Sequence, residues 1–561
     1  MSISEKIRSL SFSQAIVYIA LFAVGSFHEY LSCLLALAML VWLIVRWFRA
    51  KALTVNATPM LAAMGLLVLA YAVSALWAVD AGAAIFGFFK FLPLPLYLLV
   101  LMQEPDGREK AIAGLPLALT VMTVLSVVGM QIPALTDWFS VAGRLAGFLQ
   151  YPNTFALLLL VAELLLLTKD HLKPIDYVCL ALLLFGLLYT GSRTVLVLAV
   201  PANIAALFIN KNKKIRQIAL GAIGAGVVLV LLYCLVTDSF SVLGRYLNIN
   251  WQESTFVGRL LYVADALPMI AKHPFGLGYM GYHYVQQSIQ TGVYAVQFVH
   301  NDVVQILLDV GWLPCVTFVA AVVASLCSRK LSPRYKLALA VMLLHACFDF
   351  DLQYIAVFMV LLLLTAPTAK TTWVLTASRS VCTALATVLA VACVYAGTVL
   401  GLARFGQHEA VRAWYPWHTE SDIAALQEAK EPAEIDAIAD RILERNAYVA
   451  LAYNAKARAA FSSGDFTAVI ENANTALTMA PFAYESYCDY GYMLVNGIML
   501  YEQAGDTESA AFCRKELLSL SRELLSQQQR LSEWGKAIDD QPTLVFPKDL
   551  ATYVESMQQE D

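Results

Sequence analysis

The stretch Tyr151-Pro152-Asn153-Thr154-Phe155-Ala156-Leu157-Leu158-Leu159-Leu160-Val161-Ala162-Glu163-Leu164-Leu165-Leu166-Leu167-Thr168 decides the architecture. It is predominantly apolar and approaches the ~20 residues that a helix needs to cross the hydrocarbon core of a bilayer. Similar runs lie near 12–27, 30–47, 59–78, 82–102, 111–131, 174–190, 193–210, 215–237, 302–327, 335–350, 352–367 and 380–402. Together they make about 13 spans, so the chain reads as an all-α, polytopic membrane helical bundle of about 12–13 transmembrane helices. Composition points the same way. Of 561 residues, 59% are hydrophobic and 14% charged, with a mean hydropathy of +0.65. A soluble domain carries roughly 25% charged residues. The net charge of −4 gives no basic face for a nucleic acid, so nucleic-acid partners are not expected.

Of the ten cysteines, eight, from Cys33 to Cys393, lie in or beside apolar runs. Without a CxxC pair or a Cys/His cluster they read as small helix residues, not as zinc or redox ligands. The first ten residues are polar and carry Lys6 and Arg8, and the apolar run after them lacks a convincing small-residue cleavage site. That run reads as a first span and not as a cleaved signal.

Positive charge sets the expected orientation. Counting from a cytoplasmic N-terminus, even-numbered spans end inside. They are followed by Arg46/Arg49/Lys51, Arg108/Lys110, Lys169/Lys173, Lys211/Lys213/Lys214/Arg216, Arg329/Lys330/Arg334/Lys336 and Lys370/Arg379. Every cluster falls on the cytoplasmic side, as the positive-inside rule requires. The long connections 132–150 and 238–301 and the turns at Gly191-Ser192-Arg193 and Asp349-Phe350-Asp351 are then outside. So is everything after about 404.

That last segment changes character. It is charged, rich in Ala, Glu and Leu, and helical in period. Ala452, Ala455, Ala459 and Ala460 form a small-residue stripe, Gly464-Asp465-Phe466 makes a turn, and Ala468, Ile470, Ala473, Ala476 and Leu477 answer it before Pro481. This pattern resembles a tetratricopeptide (TPR) repeat, whose small residues let paired helices approach closely. A second turn at Gly505-Asp506 begins a further unit. The expected division is a transmembrane domain over 1–403, with external loop 238–301, and an extracytoplasmic TPR-like helical domain over 404–561. An irregular helical bundle is the alternative.

The polar motifs converge on one side. In Phe298-Val299-His300-Asn301-Asp302-Val303-Val304-Gln305-Ile306-Leu307-Leu308-Asp309-Val310-Gly311, a histidine stands where a span begins. The partial positive charge of a helix N-terminus disfavours imidazolium, which keeps the ring able to accept a proton. Arg144 lies in Gly143-Arg144-Leu145-Ala146-Gly147-Phe148, Arg193 follows Gly191-Ser192, and Arg259 follows Gly258 in the long loop. Lys90, between Phe89 and Phe91, lies inside a span, where a charge costs about 2.5–3.5 kcal/mol on insertion scales and is functional by default. The bland alternative is that these cations snorkel to lipid headgroups. His345-Ala346-Cys347-Phe348-Asp349-Phe350-Asp351-Leu352-Gln353-Tyr354 supplies a further histidine and an acidic turn. Either Asp349 or Asp351 could orient His300 or an acceptor hydroxyl, or both could mark a wetted turn. His345 fits a packed, hydrogen-bonded role better than catalysis.

His300, Asn301 and Gly311 match the His-Asn pair and following glycine of the O-antigen ligase superfamily. Arg259 and the turn His273-Pro274-Phe275-Gly276-Leu277-Gly278 resemble the family's external loop, and His345 to Tyr354 resembles its closing motif. The resemblance covers roughly 10–367, with its specific motifs concentrated in 140–351. It implies a GT-C-like membrane transferase that moves a glycan from an undecaprenyl-pyrophosphate carrier onto an acceptor hydroxyl at the outer face of the cytoplasmic membrane. The implied reaction inverts the anomeric carbon and needs neither metal nor other cofactor. His300 would be the general base. Lys90, Arg193 and Arg259 would neutralise the leaving pyrophosphate, Arg144 and Asn301 would position substrates, and Asp349 would support the site. The Asp-x-Asp spelling of Asp349-Phe350-Asp351 keeps a metal-dependent reading open.

The acceptor, whether lipid, glycan or protein hydroxyl, does not follow from these motifs. An oligosaccharyltransferase acting on protein therefore stands beside a ligase or polymerase, and the TPR-like segment leans toward a protein partner. A flippase for the same carrier is the rival from another class. It would be expected to show an internal repeat and polarity near the bilayer midplane. A non-enzymatic anchor for the TPR-like domain would leave Lys90 and His300 unexplained.

Overall fold

A computed structural model of the chain describes residues 10–210, 212–237, 240, 244, 254–365, 372–375, 379–538 and 543–560. Lys6, Arg8, Lys211, Lys370 and 245–253 of the long connection lie outside the described residues. The chain divides into two compact units. The first comprises residues 1–73, 86–250 and 300–401, and the second comprises 74–85, 251–299 and 402–561.

The first unit is a helical bundle, and the protein is an all-α polytopic membrane protein. By length and composition, Glu29–Ala50, Ala81–Gln103, Gly107–Gly129 and Val381–Arg404 are long and apolar enough to cross a bilayer. Shorter apolar helices include Phe12–Phe22, Pro59–Ser74, Pro152–Leu167, Pro174–Tyr189, Arg193–Ile209, Trp312–Cys327 and Ile355–Leu364. Two of them form the centre. Every residue of Pro152–Leu167 except the half-buried Asn153, and every residue of Ile355–Leu364, is buried. A helix surrounded by other helices has no solvent face to mark, which is why both are apolar all round and show no amphipathic stripe.

Two apolar runs are not the single helices their composition suggested. The run at 302–327 is two helices, Asp302–Val310 and Trp312–Cys327, joined at Gly311. Gly311 has φ +79° and ψ −169°, which a side chain would oppose, so glycine breaks the helix there. The run at 352–367 opens with a 3-10 turn, Asp351–Gln353, and among its described residues Ile355–Leu364 is the α-helical part. Ten residues rise about 15 Å, half the ~30 Å hydrocarbon thickness. Irregular backbone at such depth is tolerated where protein surrounds it, and here it carries the polar residues described below. Two short ribbons were not anticipated. Leu53–Asn56 pairs antiparallel with Thr372–Leu375, and Ser140–Val141 with Arg144–Leu145.

The second unit joins 402–561 to 74–85 and most of the long loop. Asp80, fully buried, accepts from Thr419 Oγ1 at 2.5 Å, Asn446 Nδ2 at 3.3 Å and the Ala83 amide at 2.9 Å. Tyr415 Oη donates to the Gly82 carbonyl at 2.9 Å. Arg412, Arg441 and Arg445 gather on Asp422. Successive helices then pair: Ala450–Ser463 with Phe466–Met479, and Tyr484–Gln503 with Thr507–Arg530. Both pairs turn at Gly-Asp. Gly464 and Gly505 take φ +78° and +74°, and Asp465 and Asp506 cap the next helix by accepting from Ala468 N and Ser509 N. Val469, Ala473, Leu477, Tyr487, Leu494, Ile498 and Leu517 fill the space between them.

Candidate functional site

Asn301 starts the helix that follows His300. Its Oδ1 accepts from the Val304 amide at 3.1 Å, an N-cap, while its Nδ2 donates to the Cys347 carbonyl at 2.8 Å. One side chain thereby launches a helix and fastens it to the 347–351 turn. His300, just before it, has φ +53°. That left-handed backbone is uncommon outside glycine, and such strain gathers at functional sites.

The imidazole is held from the other side. Its Nδ1 lies 3.2 Å from Oδ1 of Asp349, which has no exposed surface. Asp349 also accepts from Tyr151 Oη at 2.8 Å, Asn153 Nδ2 at 3.0 Å and the Phe350 amide at 3.1 Å. An ionised carboxylate only accepts, so His300 donates through Nδ1 and carries its basic lone pair on Nε2. The ring stands edge-on to Phe350, with centroids 4.9 Å apart, and Phe350 in turn lies 4.8 Å from Tyr151.

A guanidinium joins the same network. Arg144 donates through Nη2 to Asn153 Oδ1 at 2.8 Å and through Nε to the Thr190 carbonyl at 2.7 Å. Thr190 opens the turn that leads through Gly191 and Ser192 into helix Arg193–Ile209, so both arginines are set on one turn. Arg193 is half-buried at the helix's first position. The chain Arg144, Asn153, Asp349, His300 is therefore continuous, each link a hydrogen bond.

The acidic turn is split between two histidines. Asp349 meets His300, whereas Asp351 meets His345 at 2.6 Å and accepts from Thr154 Oγ1 at 2.7 Å. His345 and Asp351 are both buried. Asp302 Oδ2 accepts from the Leu352 amide at 3.0 Å, a second tie between the His300 helix and this turn. Among the described residues no group of three or more His, Cys, Asp or Glu is arranged to hold a metal ion.

Lys90 is engaged by protein groups. It is fully buried, donating to the Phe27 carbonyl at 2.8 Å and lying 3.4 Å from Glu29 Oε1 and 4.8 Å over the Phe27 ring. Phe27 stacks toward Tyr354 at 4.7 Å and reaches Phe350 at 6.4 Å. Lys90 thus supports the aromatic floor under His300 through Phe27. Asp309, left unassigned by sequence, is buried and accepts from Tyr71 Oη at 2.9 Å and Gln305 Nε2 at 2.8 Å. Arg259 is half-buried on helix Ser254–Lys272 and belongs to the second unit.

Sequence reasoning passed over Asn153, Tyr151 and Phe27 as working parts of this network. The first two stand at the polar mouth of an otherwise apolar run, and a polar residue at a span's mouth was the signal available.

The membrane bundle thus holds a carboxylate-bound histidine and the Arg144 guanidinium in one hydrogen-bonded network. Residues 178–319 match the O-antigen ligase family model. That segment includes Arg193, Arg259, His300 and Asn301, and over it the chain is similar to the O-antigen ligase family. No curated protein matches the chain.

Proposed function

We propose that the protein transfers a glycan, with inversion and without a metal, from an undecaprenyl-pyrophosphate carrier to an acceptor hydroxyl at the outer face of the cytoplasmic membrane. The observation that carries this is the linked set Arg144, Asn153, Asp349 and His300, whose polarity suits an acceptor at one end and a diphosphate at the other. His300 Nε2 takes the hydroxyl proton as the oxygen attacks the anomeric carbon. The carbon–oxygen bond to the carrier breaks on the opposite face, and the pyrophosphate leaves with both bonding electrons. Arg193 neutralises that charge, which suits guanidinium geometry, while Arg144 and Asn301 position the substrates. Lys90 acts at one remove, through Phe27. The carboxylates of Asp349 and Asp351 are engaged by protein donors, which favours a site that works through these cations.

In this reading the N-terminus is cytoplasmic and 404–561 is a TPR-like domain outside, available to a protein partner. The acceptor is a hydroxyl of a lipid, a growing glycan or a protein.

The test is purified full-length protein in nanodiscs, given a radiolabelled polyprenyl-pyrophosphate glycan and candidate acceptors. The expected result is a labelled acceptor with inverted anomeric configuration, lost in His300→Ala and unaffected by chelators. Translocation of the donor in liposomes without transfer would show a flippase instead.

A further inference from the structure

The second unit contains a cleft of about 470 Å³, lined by Tyr262, Gln287, Gln290, Tyr294, Phe482 and Ile538 among others. That volume lies within the ~300–1,000 Å³ of small-ligand sites. Its lining is unusual in what it combines. Aromatic rings come from three places in the chain: Tyr262 on helix Ser254–Lys272, Tyr294 in the segment after Gly281–Ile289, and Phe482 between Phe466–Met479 and Tyr484–Gln503. The Tyr262 and Tyr294 rings lie 4.5 Å apart. Side-chain amides come from Gln287, which is exposed, and Gln290. Among the described residues no lining side chain is charged.

The walls are built in advance. Asp265, one turn after Tyr262, accepts from the Thr291 amide at 3.0 Å, Thr291 Oγ1 at 2.7 Å and Tyr294 Oη at 3.0 Å. The Ser532 amide donates to the Thr291 carbonyl at 2.9 Å. A Cβ on Gly535 would lie 2.1 Å from that same carbonyl, so backbone meets backbone there. Gln290 donates to the Tyr294 carbonyl, which holds the segment's curve. Three stretches of chain far apart in sequence are thus fastened around one opening before anything enters it.

We infer that this cleft binds a neutral segment of glycan. Sugar rings present apolar C–H faces, which rest on aromatic rings, and rims of hydroxyls, which pair with amides that both donate and accept. A lining whose described side chains carry aromatic rings and amides and no cation favours uncharged hexose or N-acetylhexosamine units over uronates. The inference deepens the proposed function and rests on it for the source of the glycan, as acceptor or product strand. Binding itself is measured without transfer.

The experiment uses full-length protein in nanodiscs and saturation-transfer NMR, with neutral hexose and N-acetylhexosamine oligosaccharides as probes. Uronate-containing oligosaccharides and an apolar peptide are the competing probes. Neutral oligosaccharides should bind, and Tyr262→Ala should weaken them roughly tenfold while Tyr262→Phe retains them. Gln287→Ala, a change at an exposed side chain, should also weaken binding and carries the test if Tyr262→Ala does not accumulate. His300→Ala should leave binding intact. Absent neutral binding, equal or tighter binding of uronates or peptide, or indifference to both Tyr262→Ala and Gln287→Ala would overturn the inference. If His300→Ala keeps full transfer activity, the catalytic reading fails while the cleft's binding stands on its own result.

Discussion

His300 and Asp349 form a histidine–carboxylate pair across 49 residues of chain, with Nδ1 3.2 Å from Oδ1, while the neighbouring Asp351 serves His345. The pair gives the imidazole a fixed tautomer and points its basic nitrogen away from the protein donors that crowd Asp349.

Asp349→Asn should therefore keep the shape of the turn but lose the tautomer. Removing the comparable carboxylate in histidine-based catalysis lowers kcat by up to about 10⁴. A fall of roughly 10²–10⁴ in kcat is expected, with donor affinity changed less than about threefold. Single-turnover transfer beside equilibrium donor binding would check it. A loss confined to binding would remove Asp349 from this role.

Arg144 spans Asn153 and Thr190 with two separate nitrogens, a geometry that an ammonium cannot copy. Arg144→Lys and Asn153→Ala should each reduce kcat/KM by roughly tenfold or more, and the double variant should lose much less than the product of the two. Independent, multiplying losses would show that the two side chains do not act as one unit.

Lys90 is an internal partner of Glu29, which is 24% exposed. Breaking a buried pair costs about 3–5 kcal/mol, and the partial exposure of Glu29 brings the expectation for Lys90→Met down to about 2 kcal/mol. Thermal unfolding in detergent should show the drop, and Glu29→Gln in the same chain should recover part of it. An unchanged melting curve with weakened donor binding would instead put the ammonium on a phosphate.

Asp80→Ala would strand the Thr419 hydroxyl and the Asn446 amide inside the second unit. Each orphaned buried group costs about 1–3 kcal/mol. Limited proteolysis should cut within 402–446 faster than in the parent protein. Unaltered cleavage would mean that the contact contributes little.

The bundle was legible because bilayer thickness imposes a length on apolar runs, and Pro152–Leu167 shows it plainly. Where helices stop was less so. A ten-residue helix such as Ile355–Leu364 and the break at Gly311 depend on what surrounds them, since buried neighbours replace the bilayer as the constraint. The candidate histidine and arginines stood out by charge in an apolar context. Their partners did not, because Asn153 and Tyr151 meet Asp349 across almost 200 residues of chain. Asp349 and Asp351 are spelled alike, and only packing assigns one to His300 and the other to His345. The partner that Lys90 finds in Glu29 lies 61 residues away in sequence, so no local pattern announced it. Nothing local to Asp80 hinted that 74–85 joins the C-terminal helices.

Because the second unit is assembled from three separated stretches, its synthesis has an order. The 74–85 and 251–299 stretches emerge long before 402–561 exists. At ~5–20 residues per second, translation of that last portion takes on the order of ten seconds. Throughout that interval Tyr284 must wait, uncovered, for Leu426, Ile438 and Ile442. Nascent chains halted before residue 402 should be the ones that chaperones and proteases recognise.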